Sequence, residues 1–329
     1  MTNPQRFYGV LNGKKVDRVP IVEWATWWDK TIDRWHDEGL PRTCQTVAQI
    51  ADYFGHDPLQ QLWLPIRESG FPSAPSHGAP VLQGAAEYQE LKRLLYTDGV
   101  MHSAEQIIKE SVWQSKDNGT VYWMTLEGFF WFPRTLLGIE NHLYAFYDEP
   151  ELLHTINRDL CDFYKRLLPV VYEHVTPAFM TFAEDMSYNL GPMLSKEQYE
   201  EFVLPYYLEL VSYIKEKGTK VLIDTDGNVE PLIPWFLKAG IEGVLPLERM
   251  AGVDINRIRE QYPDFILIGG FDKTIMHLGE QAMRAEFERL LPVIRSGRYI
   301  PSVDHQTPPD VSLENYRIYT RLLREYCGK

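Results

Sequence analysis

The run KVLIDTDGNVEPLIP at 220–234 brings Asp224 and Asp226 to the end of an apolar segment with the length of a buried strand. Residues two apart in extended chain project from the same face, so these carboxyls can work as a pair. Such a pair suits a metal ion, a shared proton or a cationic ligand, since crowded carboxylates repel one another without one of the three. Comparable acids recur along the chain: Glu23 after VPIV, Glu127 after VYWMTL, Glu184 and Asp185 after FMTFA, Glu248 after GVLPL, Asp272 after IGGF, and Asp304 with His305 after YIPSV. Arg67 follows LQQLWLPI.

The elements that must position these residues are legible in the hydrophobic pattern. From residue 179 onward short apolar runs alternate with stretches of helical period: FMTFAED, SKEQYEEFVLPYYLELVSYIKEKG, VLIDTD, VEPLIPWFLKAG, GVLPLE, DINRIREQY, FILIGG, KTIMHLGEQAMRAEFERLLPVIRSG, YIPSVDH and SLENYRIYTRLLREY. This βα alternation predicts a parallel sheet. Ser195 with Gln198, and Asp254, are helix-start signals, while Gly218, Gly240 and Gly297 mark stops. Pro205 and Pro292 predict a kink or an early break in their helices. Three further strands are expected at 19–24, 59–66 and 121–128, which makes eight and predicts a (β/α)8 TIM barrel filling 1–329 as one domain. Residues 68–120 read as an insertion between the second and third strands, with FPSAPSHGAP and YTDG suggesting a lid or a β-hairpin near the mouth.

Composition limits the partners. Of 329 residues 44% are hydrophobic, enough for a large core, and the net charge of -13 opposes a nucleic-acid backbone or an anionic membrane surface. The start MTNPQRFYGVLNGKK lacks the apolar core of a signal peptide, so a cytoplasmic protein acting on a small molecule is expected, as a monomer or an oligomer. Cys44, Cys161 and Cys327 are too far apart for a thiolate knuckle and are expected to serve packing or surface roles.

In a barrel the reaction site lies at the C-terminal ends of the strands, which would gather the acids into one ring. One imidazole with two or three carboxylate oxygens is a workable set for zinc, manganese or iron. The alternative is that the acids cap helix starts and loop amides. Trp24, Trp27, Trp28, Trp63 and Trp123, with Phe129, Phe130 and Trp131, would wall an acidic pocket suited to an aromatic ring or a methylated ammonium. Tyr188 is a further candidate for substrate contact, and His142 a core or contact residue.

In order along the chain, NGKKVDRVPI, LSKEQYEEFVLPYY, VLIDTDGNVEPLIPWFLKAGIEGV, IGGFDK and YIPSVDHQTPPDVSLENYR resemble the uroporphyrinogen decarboxylase superfamily, which includes that decarboxylase and cobalamin-dependent methyltransferases. The resemblance implies a (β/α)8 barrel. The decarboxylases carry an arginine pair after the VP strand to hold the acid groups of their tetrapyrrole, whereas Ala25 and Asp29 stand there in this chain; His305 matches a histidine of the last strand loop. The methyltransferase branch binds zinc through a His-x-Cys pair before GN and a later cysteine, positions that correspond to Asp224-Thr225-Asp226 and the vicinity of His305. The expectation is a metal-dependent methyltransferase with a divalent metal, zinc first, held by Glu184, Asp226 and His305. Asp224, Asp226 and His305 would be catalytic, and Glu23, Trp24, Trp27, Trp28, Trp63, Glu127 and Tyr188 would contact the methyl donor. A corrinoid on a partner protein would accept the methyl group. The rivals are a cofactor-free decarboxylase or lyase of a smaller acid, and a barrel that only binds.

Overall fold

The computed structural model describes residues 1–115 and 119–328. Its central element is a seven-stranded parallel sheet built from β1 (Leu59–Trp63), β2 (Val121–Glu127), β3 (Phe179–Ala183), β6 (Lys220–Asp224), β7 (Gly243–Leu245), β8 (Ile266–Phe271) and β9 (Tyr299–Val303), paired in that order. β4 (Ser187–Tyr188) and β5 (Gly191–Pro192) form a small antiparallel hairpin beyond β3. The in-register parallel pairs run from Leu59 with Val121 to Phe271 with Val303. The sheet curls, because Gln61 and Trp63 of the first strand and His305 and Gln306 just past the last line one cavity. Helices follow the strands as the βα rhythm predicts, and the strands from β2 onward in the sheet have largely buried interiors, whereas the edge strand β1 ends on the exposed Trp63.

The punctuation acts largely as expected. Ser195 and Gln198 form a capping box, and Asp254 accepts from the Asn256 amide at 3.0 Å. The long helix of 195–218 breaks before Pro205 into Lys196–Phe202 and Leu204–Glu216, with the proline in the first turn, where its missing N–H costs nothing. Pro292 instead lies within the uninterrupted helix Glu280–Ser296.

The strand expected at 19–24 does not form. Pro20 removes one ladder donor, and the neighbouring backbone groups bond to loops and side chains instead. The Val19 amide donates to the Cys327 carbonyl at 3.0 Å, the Asp57 amide to the Ile21 carbonyl at 2.7 Å, and the Ile21 amide to the Asp57 carboxylate at 2.8 Å. Arg18 grips that carboxylate with both terminal nitrogens, at 2.6 and 2.7 Å. On the other side the Trp24 amide meets the Ser302 hydroxyl at 3.2 Å, so an irregular segment stands between the outer strands β1 and β9.

Residues 64–115 carry the helices Ala85–Leu91 and Asp98–Gln114, and no hairpin. Thr97 of the YTDG turn starts the second of these by accepting from the Val100 amide, and FPSAPSHGAP runs as a loop whose following residues, Val81 and Leu82, donate their amides to the Leu136 carbonyl of the helix Trp131–Leu137, at 2.8 and 3.1 Å. Residues 116–118 of the expected insertion lie outside the described residues.

Glu23 ties the irregular segment to the last strand of the sheet. Its carboxylate accepts from the Ser302 hydroxyl, from the Val303 amide at 2.9 Å and from the Tyr316 hydroxyl at 3.2 Å. Burial pushes this carboxyl up to about 7 against the lowering effect of those donors. A carboxyl that binds its proton more tightly when folded stabilises the fold fully below the unfolded carboxylate range, and that contribution is lost as pH rises through the folded value. Thermal midpoints measured from pH 5 to 8 are therefore expected to decline, with Glu23→Gln flattening part of the decline. Glu23→Ala, which strands the donors, should destabilise by about 1–3 kcal/mol in chemical denaturation.

Candidate active site

The cavity at the C-terminal end of the sheet has a volume of about 320 Å³. Its floor is made by Asp224, Asp226, Asp185 and an edge of Glu184, its walls by Trp24, Trp63, Trp123 and Trp131, and its rim by Thr26, Gln61, His305 and Gln306. Asp224 ends β6 and Asp226 follows two residues later, and both reach the same cavity. Thr225, between them, points the other way and accepts from the Met186 amide at 3.0 Å, fixing the loop after β3. Gly227 then turns the chain with φ +81°, where a Cβ would strike the backbone of Tyr188 at 2.6 Å.

Charge is managed group by group. Burial, reinforced by Asp226 and Asp185, holds the Asp224 carboxyl well above its usual range. Burial, with Asp185 and Glu248 adding to it, pushes Asp226 up to about 7, while Lys273 opposes. The Nζ of Lys273 stands 3.8 Å from Glu248, whose other oxygen accepts from the Gly227 amide at 2.9 Å. His305 Nε2 lies 3.7 Å from Asp226 Oδ2, a near approach beyond hydrogen-bond length. Desolvation, with Lys273 adding to it, lowers the imidazole pKa, so His305 is a neutral neighbour at pH 7.

Glu184, expected as a metal ligand, is committed elsewhere. One oxygen accepts from the Phe129 amide at 2.9 Å and from the Tyr207 hydroxyl, and the other from the Phe130 and Trp131 amides at 2.8 and 3.0 Å. Burial still raises this carboxyl to about 7. Among the described residues no group of three His, Cys, Asp or Glu side chains is arranged to hold a metal ion. Asp226 and His305 approach each other, but the expected third ligand spends both oxygens on the chain, so a zinc site of Glu184, Asp226 and His305 does not fit this arrangement.

Several expected substrate contacts also have structural duties. Glu23 holds the irregular segment against β9, and Glu127 is paired with Arg67 at 2.9 Å. Trp27 is buried against Trp35, Phe54, His56 and Tyr316. Trp28 is exposed and precedes the helix Asp29–Asp37, outside the cavity lining, and Tyr188 sits exposed on the β4–β5 hairpin. Asp272 caps the turn after β8, and Asp304 accepts from the Arg249 and Lys273 amides at 2.9 and 3.1 Å, as the capping alternative anticipates. His142 is core, edge-on to Phe130 at 4.7 Å. The three cysteines are free and buried.

Trp24 and Trp63 do reach the cavity. Trp24 is oriented by an indole N–H bond to the Val303 carbonyl at 2.7 Å and meets the His305 ring edge-on at 6.4 Å. Sequence reasoning missed Lys273, the cation beside the acids, although it directly follows Asp272 in IGGFDK. It also missed Gln61 and Gln306, which carry no pattern beyond their polarity.

A parallel α/β barrel-like sheet with carboxyls, an imidazole and tryptophans at its C-terminal end defines an enzyme-type fold with its candidate site at the customary end. Residues 116–326 match the family model for Uroporphyrinogen decarboxylase (URO-D). The chain belongs to that family. It is 26% identical over 203 residues to a uroporphyrinogen decarboxylase of Alcanivorax borkumensis, covering 57% of this chain and 53% of that protein. It is 26% identical over 140 residues to one of Hydrogenobaculum, covering 40% and 38%. The match thus spans about half the length, or less, of these curated relatives. The fold is shared with a methyltransferase from Methanosarcina mazei, with TM-score 0.68, 17% identity and 99% of both chains covered. Among the described residues no helix is long and apolar enough to cross a membrane.

Gly128 tests the local design of the site. A Cβ on this residue would fall on the Glu184 carboxylate, so Gly128→Ala must displace the group that holds the three following amides. Chemical denaturation of Gly128→Ala is expected to show a loss of about 1–3 kcal/mol, with the fluorescence of the Trp131 environment altered in the folded state.

Proposed function

We propose that this chain is a methyltransferase that takes a methyl group from a small donor, an aromatic ether or a methylated amine, whose methyl-bearing end is uncharged or cationic where it enters the cavity. The observation that carries this reading is the lining itself: four tryptophans over an acidic floor, and no lysine or arginine among the lining residues. A polyanionic tetrapyrrole would meet repulsion and a cavity of about 320 Å³, near the lower end of the roughly 300–1,000 Å³ range of ligand pockets. Flat rings and methylated ammonium groups gain from tryptophan faces.

In this reading the carboxyls at the β6 end act as general acids. As the bond between the methyl carbon and the donor heteroatom breaks, its electron pair stays on the heteroatom, which takes the Asp226 proton, and the methyl group passes to an external nucleophile. Asp224, kept protonated by its burial, limits the negative charge that builds beside the resulting Asp226 carboxylate. His305 stands where it can return a proton from solvent. The acceptor this reading calls for is a corrinoid carried by a partner protein.

The second reading is a decarboxylase of a smaller acid, favoured by the names of the sequence relatives and by carboxyls poised to protonate carbon. The deciding experiment offers the chain methoxybenzenes and methylated amines with a reduced corrinoid acceptor, and a panel of small aromatic acids without it. Demethylation that falls at least a hundredfold in Asp226→Asn, declines as pH rises through about 7 and survives exhaustive chelation is the expected result. Carbon dioxide release without demethylation would establish the decarboxylase. About one equivalent of zinc in the parent, absent from the double variant Asp226→Ala, His305→Ala, would instead mean that Glu184 gives way to another ligand and that the metal reading holds.

A further inference from the structure

Behind the Trp131 wall lies a second cavity of about 220 Å³, lined by Trp131, Arg134, Thr135, Ile139 and residues 74 and 76–79 of the FPSAPSHGAP loop. Trp131 is the residue it shares with the acidic cavity. Arg134 is held in place by its Nη1, which donates to the Asp185 carbonyl at 2.9 Å, and by stacking of its guanidinium over the Trp131 ring at 5.2 Å. Within 4 Å it makes no ion pair among the described residues, in contrast to most arginines of this chain. Partial burial lowers its pKa, with Asp185 opposing. The loop that roofs this cavity is fixed, with the Ile139 amide donating to the Gly78 carbonyl at 3.0 Å.

A half-buried arginine anchored through one nitrogen and stacked on an aromatic ring keeps the rest of its fork for a planar anion, and carboxylate is the group that matches it best. We propose that this second cavity is the subsite for a carboxylate on the substrate. The substrate class is then a methyl donor with its methyl-bearing ring in the tryptophan-walled cavity and its carboxylate directed past Trp131 to Arg134. The arrangement places the anion against Arg134, the one arginine in either lining, in a cavity that Asp224 and Asp226 do not line, while Asp185 is the acid that already acts on the guanidinium. His77 and Ser76, at the exposed edge of the loop, offer further donors to the same group.

The inference rests on the methyl-donor reading for its substrate, yet its test is separable. Calorimetric titration of the full chain with 4-methoxybenzoate and with the neutral 4-methoxybenzamide is expected to give at least roughly tenfold tighter binding of the acid. Arg134→Met should bring that ratio close to one, and Arg134→Lys should retain part of it, because the charge remains and the fork is lost. A ratio near one in the parent chain, no binding of the acid, or an undiminished ratio in Arg134→Met would each overturn the subsite. 4-Hydroxybenzoate, which has no methyl to give, distinguishes the two ideas: its Arg134-dependent binding, with no demethylation of any donor, would sustain the subsite and defeat the methyltransferase.

Discussion

Like charge crowded at one end of a sheet is the constraint on which this structure turns. Carboxyls end or follow β2, β3, β6, β7, β8 and β9, and the irregular segment before β1 adds Glu23. Each desolvated carboxylate is costly without donors. The chain supplies donors to most of them: three amides and a tyrosine to Glu184, a hydroxyl, an amide and a tyrosine to Glu23, two amides to Asp304, and an arginine to Glu127. Beside Glu184, the acids that line the cavity are Asp224, Asp226 and Asp185; burial raises all three, with Lys273 opposing at Asp226 and Arg134 and the Asp226 amide opposing at Asp185.

The satisfied acids shape the site through what they hold. Glu184 gathers the amides of 129–131 and so fixes where Trp131 stands, between the two cavities. Glu23 fixes the irregular segment against β9, and the next residue, Trp24, becomes a wall beside His305. The recognition surface is therefore aromatic and the scaffolding behind it anionic. Replacing either glutamate would move a tryptophan as well as remove a charge.

The βα rhythm was legible because each helix and strand of the second half has its own period and its own stop signals, from the Ser195 capping box to the glycines at 218, 240 and 297. The sharing of one side by Asp224 and Asp226 was anticipated from extended-chain geometry and holds in the cavity although β6 itself ends at Asp224. The segment 19–24 was misread because one missing donor at Pro20 is invisible in an apolar run, and only the surroundings decide whether its remaining amides find a ladder. The same limit applied to the tryptophans. Trp27 and Trp28 are adjacent, yet one is core and the other exposed, and sequence spacing says nothing about which acid already has amides around it, as Glu184 does.

Membership of the family fixes the scaffold more firmly than the reaction, since function resides in the site grafted on a fold. The positions that would carry thiolates in a zinc-binding relative carry oxygen and nitrogen in this chain, and one oxygen ligand of the expected set is occupied by the backbone. A thiolate-bound metal suits activation of a soft nucleophile, whereas carboxyls held near neutrality suit protonation of a departing oxygen or nitrogen. In the proposed reading the raised acids of the floor supply protons at the β6 end, beside a His305 whose pKa burial lowers. The tryptophan walls then decide what receives them, a flat or methylated group carrying no negative charge of its own at the point of entry.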